Sequence, residues 1–272
     1  MMARVEKCGP AIGEPGNWLV PRGAQAWPEQ VHGARAFNPL SERLRRIGVP
    51  EEALASLDGG TVEVRSLPAG GPIVREGRTS ERLSVLLEGW ACRYASVDRG
   101  RQTMAFLLPG DICDLDALQS SHLEYGVRAI TPCRVAVLRA DDVRRAASAH
   151  EEIASALLGF AFDDHAALMR RTASLGRRSA RGRLAHLICE LHQRTIAAGI
   201  DADGSYLLPA TQEDMADILG LTNVHVNRTL KALRNQGLIK LETRCLTILD
   251  LQTLSRIADF SPAGPPASND HD

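Results

Sequence analysis

The stretch from Gly220 to Ile239, "GLTNVHVNRTLKALRNQGLI", carries the residues of this chain best suited to recognition chemistry. At helical spacing, Asn223, His225, Asn227, Arg228, Lys231 and Arg234 form a polar face without an acid, while Val226, Leu230 and Leu233 supply an apolar one. An arginine can bond O6 and N7 of guanine in bidentate fashion, and a valine offers apolar contact of the kind a thymine methyl accepts. An acid would be repelled by a phosphate backbone, which accounts for its absence. A plain solvated basic helix is the competing reading, and it requires that no tight turn precede the helix.

The preceding residues do predict a turn. Thr211 and Asp214 have the spacing of a capping box, with Asp in place of the usual Glu. Met215, Ala216 and Leu219 give that first helix a buried side, Gly220 ends it, and Thr222 caps the next. A small residue, a glycine four positions on and a β-branched residue six further (Ala216, Gly220, Val226) is helix-turn-helix spacing. The second helix of such a unit lies in the DNA major groove with its N-terminal residues at base edges. Asn223, Val224, His225, Asn227 and Arg228 are then the expected base readers, and Thr211, Gln212 and Lys231 the expected phosphate contacts.

The chain has 272 residues, enough for about two domains. Its net charge of −1 announces no polyanion partner, yet the charge is unevenly placed. From Ala166 to Cys245 there are twelve Lys/Arg against seven Asp/Glu, a balance of 12 − 7 = +5, so the C-terminal part is basic and the remainder acidic. The six cysteines form no C-x-x-C pair and read as reduced buried thiols; Cys189 fits that description better than a redox trigger. With no signal-peptide pattern and no apolar run of membrane-spanning length, a cytoplasmic location without a membrane partner is expected.

Residues 1–36 and 261–272, rich in Gly, Pro and Ala, read as a flexible extension and a disordered tail. "PLSERLRRIG" and "PEEALASL" read as short helices. Between Thr61 and Arg139, "TVEVRSL", "GPIVREG", "RLSVLLEGWACRYASV", "QTMAFLLPGD" and "CRVAVLRAD" are strand-like runs divided by turns, the pattern of a sandwich or barrel. From Asp141 the chain reads as one long helical stretch. Ala154, Leu158, Ala161, His165, Leu168, Thr172 and Leu175 keep heptad spacing along it, predicting a seam with a second copy. Leu157, Phe160 and Met169 are expected to widen that stripe, and the helix to cover the β domain with its other side. Beyond it come three helices and a small hairpin.

The turn glycines of "REGRTSERLSVLLEGWACRY" and "FLLPGDICDLDAL", the long helix and "QEDMADILGLTNVHVNRTL" together resemble the Crp/Fnr family of bacterial transcription regulators, over roughly residues 40–258. The resemblance implies an α+β chain. It would contain an antiparallel β-roll of cyclic-nucleotide-binding-like jelly-roll type (37–148), a dimerisation helix (149–177) and a winged helix-turn-helix (178–260). It also implies a homodimer reading a palindromic promoter site, with double-stranded DNA, a second copy and RNA polymerase as partners, and no enzyme activity. Arg228 matches the family's guanine-reading arginine, whereas Asn223-Val224-His225 departs from the Arg-Glu that many members carry before it.

The effector residues depart further. Asp114-Leu115 stand where cyclic-AMP-binding members carry a Gly-Glu pair for the ribose, and Leu123-Glu124 where they carry Arg-Ser for the phosphate. A carboxylate at Glu124 would repel a cyclic phosphate, so cyclic AMP is not expected to bind. Cys8 alone near the N-terminus cannot replace the thiolates that hold an iron–sulfur cluster, and no cofactor is expected; haem ligation by Cys113 is left open. A regulatory module of cyclic-nucleotide-binding type without DNA function is the alternative reading. A metal-dependent hydrolase built on Asp111, Asp114 and Asp116 is a weaker one.

Overall fold

The computed structural model describes residues 38–261 apart from 59, 61, 99, 120–121 and 199–203, so the expectations for 1–36 and for the tail beyond Ser261 lie outside the described residues. Two short helices, α1 (Pro39–Arg46) and α2 (Glu51–Asp58), lead into the β-roll. The roll consists of β1 (Glu63–Leu67), β2 (Pro72–Val74), β3 (Arg82–Glu88), β4 (Ala91–Val97), β5 (Gly100–Leu107), β6 (Gly126–Ala129) and β7 (Cys133–Arg139). These form a three-stranded sheet, β1-β7-β3, and a four-stranded one, β2-β6-β4-β5, with every pairing antiparallel. Leu86, Leu107, Leu123, Val127 and Val135 fill the space between them.

β6 is a strand that the sequence pattern did not predict. It begins at Gly126, where a Cβ would come within 2.6 Å of the Tyr94 ring, so only glycine lets β4 and β6 close together there. That same glycine breaks the apolar alternation by which a strand is read.

The long helical stretch is two helices, α3 (Ala140–Ala149) and α4 (Glu151–Arg177). His150 separates them in an extended conformation, and Glu151 and Glu152 follow where negative charge favours a helix N-terminus. α4 has two sides. Ile153 and Leu157 are buried with Leu40, Leu44, Leu83 and Val143 under the roll, and Phe160 lies beneath the Arg43 guanidinium, 4.3 Å away. Leu157 and Phe160 therefore belong to the roll side and do not widen the heptad stripe as expected; Met169 stays on the outer side.

The C-terminal part follows as α5 (Ala180–Ala197), β8 (Ser205–Leu207), α6 (Gln212–Leu219), α7 (Asn223–Asn235), β9 (Ile239–Glu242), β10 (Cys245–Ile248) and α8 (Leu251–Ala258). Its sheet has three strands in the order β8-β10-β9, one more than the hairpin expected. The buried Tyr206 on β8 donates its hydroxyl to the Ile188 carbonyl at 3.1 Å, tying that sheet to α5. Trp90, Cys92, Phe106 and Leu108 of the roll share one apolar cluster with Leu184, Ile188, Met215, Ile218 and Leu233. The outward face of the four-stranded sheet thus meets the C-terminal helices with Cys92 and Phe106, and with Arg128, which shares that face. Cys92, Cys113, Cys133 and Cys189 are buried free thiols as expected, but Cys245 is half-buried and is not a free thiol. Among the described residues no helix is long and apolar enough to cross a membrane.

Candidate nucleic-acid interface

The turn between α6 and α7 is built as its residues dictate. The Thr211 hydroxyl accepts the Asp214 N–H at 3.1 Å, and the Asp214 carboxylate accepts the Thr211 N–H at 2.9 Å, completing the capping box. Gly220 ends α6 at φ +60°, a left-handed conformation that costs other residues energy. Thr222 caps α7 by accepting the His225 N–H. Val226, Leu230 and Leu233 are buried, which fixes the rotation of α7 about its axis and turns the opposite face to solvent.

On that face Asn223, Val224, His225, Asn227, Arg228 and Lys231 are all exposed, Val224 to 74%. Arg228 and Lys231 form no hydrogen bond or ion pair among the described residues, so both charges are free for a partner. Four of the nominated polar side chains, His225, Asn227, Gln212 and Thr211, are already engaged. The His225 Nδ1 lies 3.1 Å from the Thr222 hydroxyl, Asn227 donates to the Gln212 side-chain oxygen at 3.4 Å, and the Thr211 hydroxyl donates to Asp214 at 2.8 Å. Thr211 thus acts first as a cap, while the Gln212–Asn227 bond bridges α6 and α7.

Sequence reasoning missed Arg244. The β9–β10 turn places Thr243 and Arg244 consecutively in the left-handed region, at φ +48° and +64°, and projects the exposed arginine from the hairpin tip. A lone arginine between strands gives no sequence signal. It is found only once the hairpin is seen beside α7.

The roll holds this unit by its first helix. Arg128 on β6 pairs with Asp214, Arg101 on β5 with Asp217 at 2.8 Å, and Gln102 donates to the Asp217 carbonyl at 2.5 Å. From α5, Arg194 donates to Asp111 at 2.5 Å and to the Phe106 carbonyl at 2.8 Å, and Asp111 also faces Arg43.

The cassette positions named from the resemblance lie in different surroundings. Leu123 is part of the roll core, and Glu124 is exposed. Asp114 is buried, accepting the Ser84 N–H at 2.6 Å and the Ser84 hydroxyl at 3.1 Å; burial pushes its pKa up to about 7. Arg93, only 5% exposed, donates to the Ile112 and Cys113 carbonyls and reaches Asp164 of α4 at 3.1 Å. It thereby links the roll interior to the long helix.

Asp111, Asp114 and Asp116 are dispersed, with Asp111 on arginines, Asp114 on Ser84 and Asp116 exposed, and they share no metal. No group of three or more His, Cys, Asp or Glu able to hold a metal occurs among the described residues. Burial drives the Cys113 thiol well above its ordinary pKa. Cys189 is likewise pushed up to about 11 by burial.

Two family matches cover these parts in the order the fold presents them. Residues 64–150 match the cyclic nucleotide-binding domain, and residues 182–257 match the Crp-like helix-turn-helix domain. The chain belongs to the Crp/Fnr family. Its relatives include the nitrogen fixation regulation protein FixK of Azorhizobium caulinodans, 26% identical over 240 residues that span 87% of this chain and 91% of that protein. The transcriptional activator protein FnrL of Cereibacter sphaeroides is 29% identical over 234 residues, 84% of this chain and 93% of that protein. Among solved structures, FixK2 from Bradyrhizobium japonicum superposes with a TM-score of 0.68 at 25% identity, over 72% of this chain and 97% of that one. This Crp/Fnr member is accordingly a DNA-binding transcription regulator, and its relatives are regulators, not enzymes.

Proposed function

We propose that this regulator acts as a cytoplasmic homodimer on a palindromic promoter site. Residues 37–148 would form the sensor-like roll, 149–177 the dimerisation helix and 178–260 the reading domain. The observation that carries the reading is the bare, acid-free face of α7, with Arg228 and Lys231 unengaged and Val224 exposed. Arg228, Asn223, Val224, His225 and Asn227 read bases. Lys231, Gln212 and the wing-tip Arg244 hold phosphates, with Thr211 and Thr222 fixing the two helix N-termini that face the backbone.

The dimer is supported by the outer side of α4. Leu158 is 54% exposed and Phe162 64%, and Ala154, Ala161, His165 and Leu168 continue the stripe; Leu175, expected on the seam, is half-buried against Gly220 at the end of α6. A second copy would cover it and set two recognition helices one helical turn apart, ~34 Å along the duplex. The buried Leu123, the exposed Glu124 and the Asp114–Ser84 pair support a roll that does not bind cyclic AMP. Cyclic AMP binding in the micromolar range would contradict that part. RNA polymerase is proposed as the further partner.

A gel-shift titration against salt tests the DNA reading. Affinity should fall steeply as salt rises, while a preference for one sequence over random DNA survives. Equal affinity for all sequences would contradict it.

A further inference from the structure

The inward face of a β-roll alternates apolar side chains, and at one end of this roll arginine takes their place. Residues paired across antiparallel strands share a face. Arg65 is paired with Val135, and Val135 with Leu86, so Arg65 of β1 lies on the face that packs the core. Arg82 and Ser84 continue that face along β3, four and two residues before Leu86. Opposite them the turn between β2 and β3 brings Arg75, Arg78, Thr79 and Ser80 to the same opening. Its backbone is fastened there by Gly77 N–H to the Leu123 carbonyl at 2.8 Å and Leu123 N–H to the Arg78 carbonyl at 3.3 Å. Together they enclose a cavity of about 120 Å³ whose floor is Leu123, Val137, Ser84 and the Asp114 carboxyl that Ser84 holds.

The charge at this mouth is unbalanced. Glu63 serves both Arg65, at 2.8 Å, and Arg82, at 2.9 Å. Arg75 and Arg78 form no ion pair among the described residues, and Asp114 below is committed to Ser84. Arginines on edge strands can also serve to deter pairing with another sheet. That explains Arg65 and Arg82 on β1 and β3, which are both edges, but not Arg75 and Arg78 in the turn or the hydroxyls beside them.

We propose that this mouth binds a compact oxyanion, either phosphate itself or the phosphate group of a small metabolite. Arg75 and Arg78 present planar forks matched to such oxygens, and Thr79 and Ser80 add hydroxyl donors. Low-dielectric walls behind the arginines concentrate their field on the opening. The cavity holds the anionic group and a few atoms but not a nucleotide, so the remainder of a metabolite would stay outside. The cavity shares Leu123 and Asp114 with the cassette positions of cyclic-AMP-binding relatives, but its donors, Arg75, Arg78, Thr79 and Ser80, come from the turn between β2 and β3, and it stands independently of the DNA-binding reading.

The test is isothermal titration calorimetry of the full chain, free of DNA, with inorganic phosphate and with glycerol phosphate at low chloride. Three proteins are compared: the unaltered chain, R75Q/R78Q and R228A. The site predicts saturable binding of one anion per chain. It should weaken at least tenfold in R75Q/R78Q and remain unchanged in R228A. The tighter of the two probes shows whether the free anion or a phosphate ester is the better ligand. R65Q provides a second, milder variant, expected to weaken binding several-fold while circular dichroism stays unchanged. Absence of saturable binding, or retention of it in R75Q/R78Q, would overturn the proposal. So would loss in R228A, because the anion would then sit on the recognition helix.

Discussion

Replacing Asp214 by alanine is the perturbation that most sharply probes how the reading domain is held. Its carboxylate completes the capping box of α6 with Thr211 and pairs with Arg128 of the roll. Loss of the cap costs about 1 kcal/mol. Loss of the ion pair strands the Arg128 guanidinium, which is 17% exposed and whose Nε already has no partner; removing one member of a buried pair costs about 3–5 kcal/mol. Because Arg128 keeps some solvent access, the lower end applies, and D214A should destabilise by about 3–4 kcal/mol in all. Burial raises the Asp214 pKa, but the hydrogen bonds from Thr211 and the Arg128 charge outweigh it and hold the carboxyl below its ordinary value. Its contribution is thus fully present above the unfolded pKa, about 3.9, and is lost as pH falls through the native value. Urea unfolding of D214A, R128A and the double variant measures the coupling. The double variant should lose at least about 1 kcal/mol less than the sum of the two single changes. A D214A loss below about 1 kcal/mol, or strict additivity, would refute the argument.

Gly220→Ala forces a side chain into the left-handed region and places a Cβ 3.2 Å from Leu175 Cδ2. It should cost at least about 1–2 kcal/mol, read as a lowered thermal midpoint. Asp114 has the opposite pH signature from Asp214. With its native pKa raised to about 7, the folded chain holds more protons between about pH 4 and 7, so stability falls as pH rises through that window. Asp114→Asn should flatten that dependence in melting curves recorded from pH 4 to 8; an unchanged slope would count against the assignment. L158E/F162E places two charges on the outer side of α4, where neither side chain is buried within the chain. Sedimentation should show a folded monomer in place of a dimer, and a retained dimer would rule out this seam.

The sequence was most legible where a residue's local role and its global role coincide. Thr211, Asp214, Gly220 and Thr222 are chosen by helix caps alone, and those caps also define the turn that aims α7. Heptad spacing located the outer side of α4, but adjacent apolar residues could not be divided between two faces. Leu157 and Phe160 went to the roll, and the exposed Phe162 was passed over. The helix break at His150 was signalled only by Glu151-Glu152, and β6 was hidden by Gly126. Long-range pairs were illegible in principle. Nothing in the local pattern announces that Arg128 meets Asp214, 86 residues on, or that Arg93 reaches Asp164. The engagement of His225 with Thr222 and of Asn227 with Gln212 likewise required the helix positions.

The most direct measurement is a selection of bound DNA from a random pool, carried out in parallel with the unaltered protein and with R228A. The account predicts an inverted repeat with half-site centres one helical turn apart and a guanine at a fixed place in each half. In R228A the preference should vanish at that place alone, with ~1–3 kcal/mol less discrimination there. Recovery of an unrepeated site would contradict the dimer. The same motif from both proteins, or a uniform loss of binding to all sequences in R228A, would contradict the reading of bases by α7.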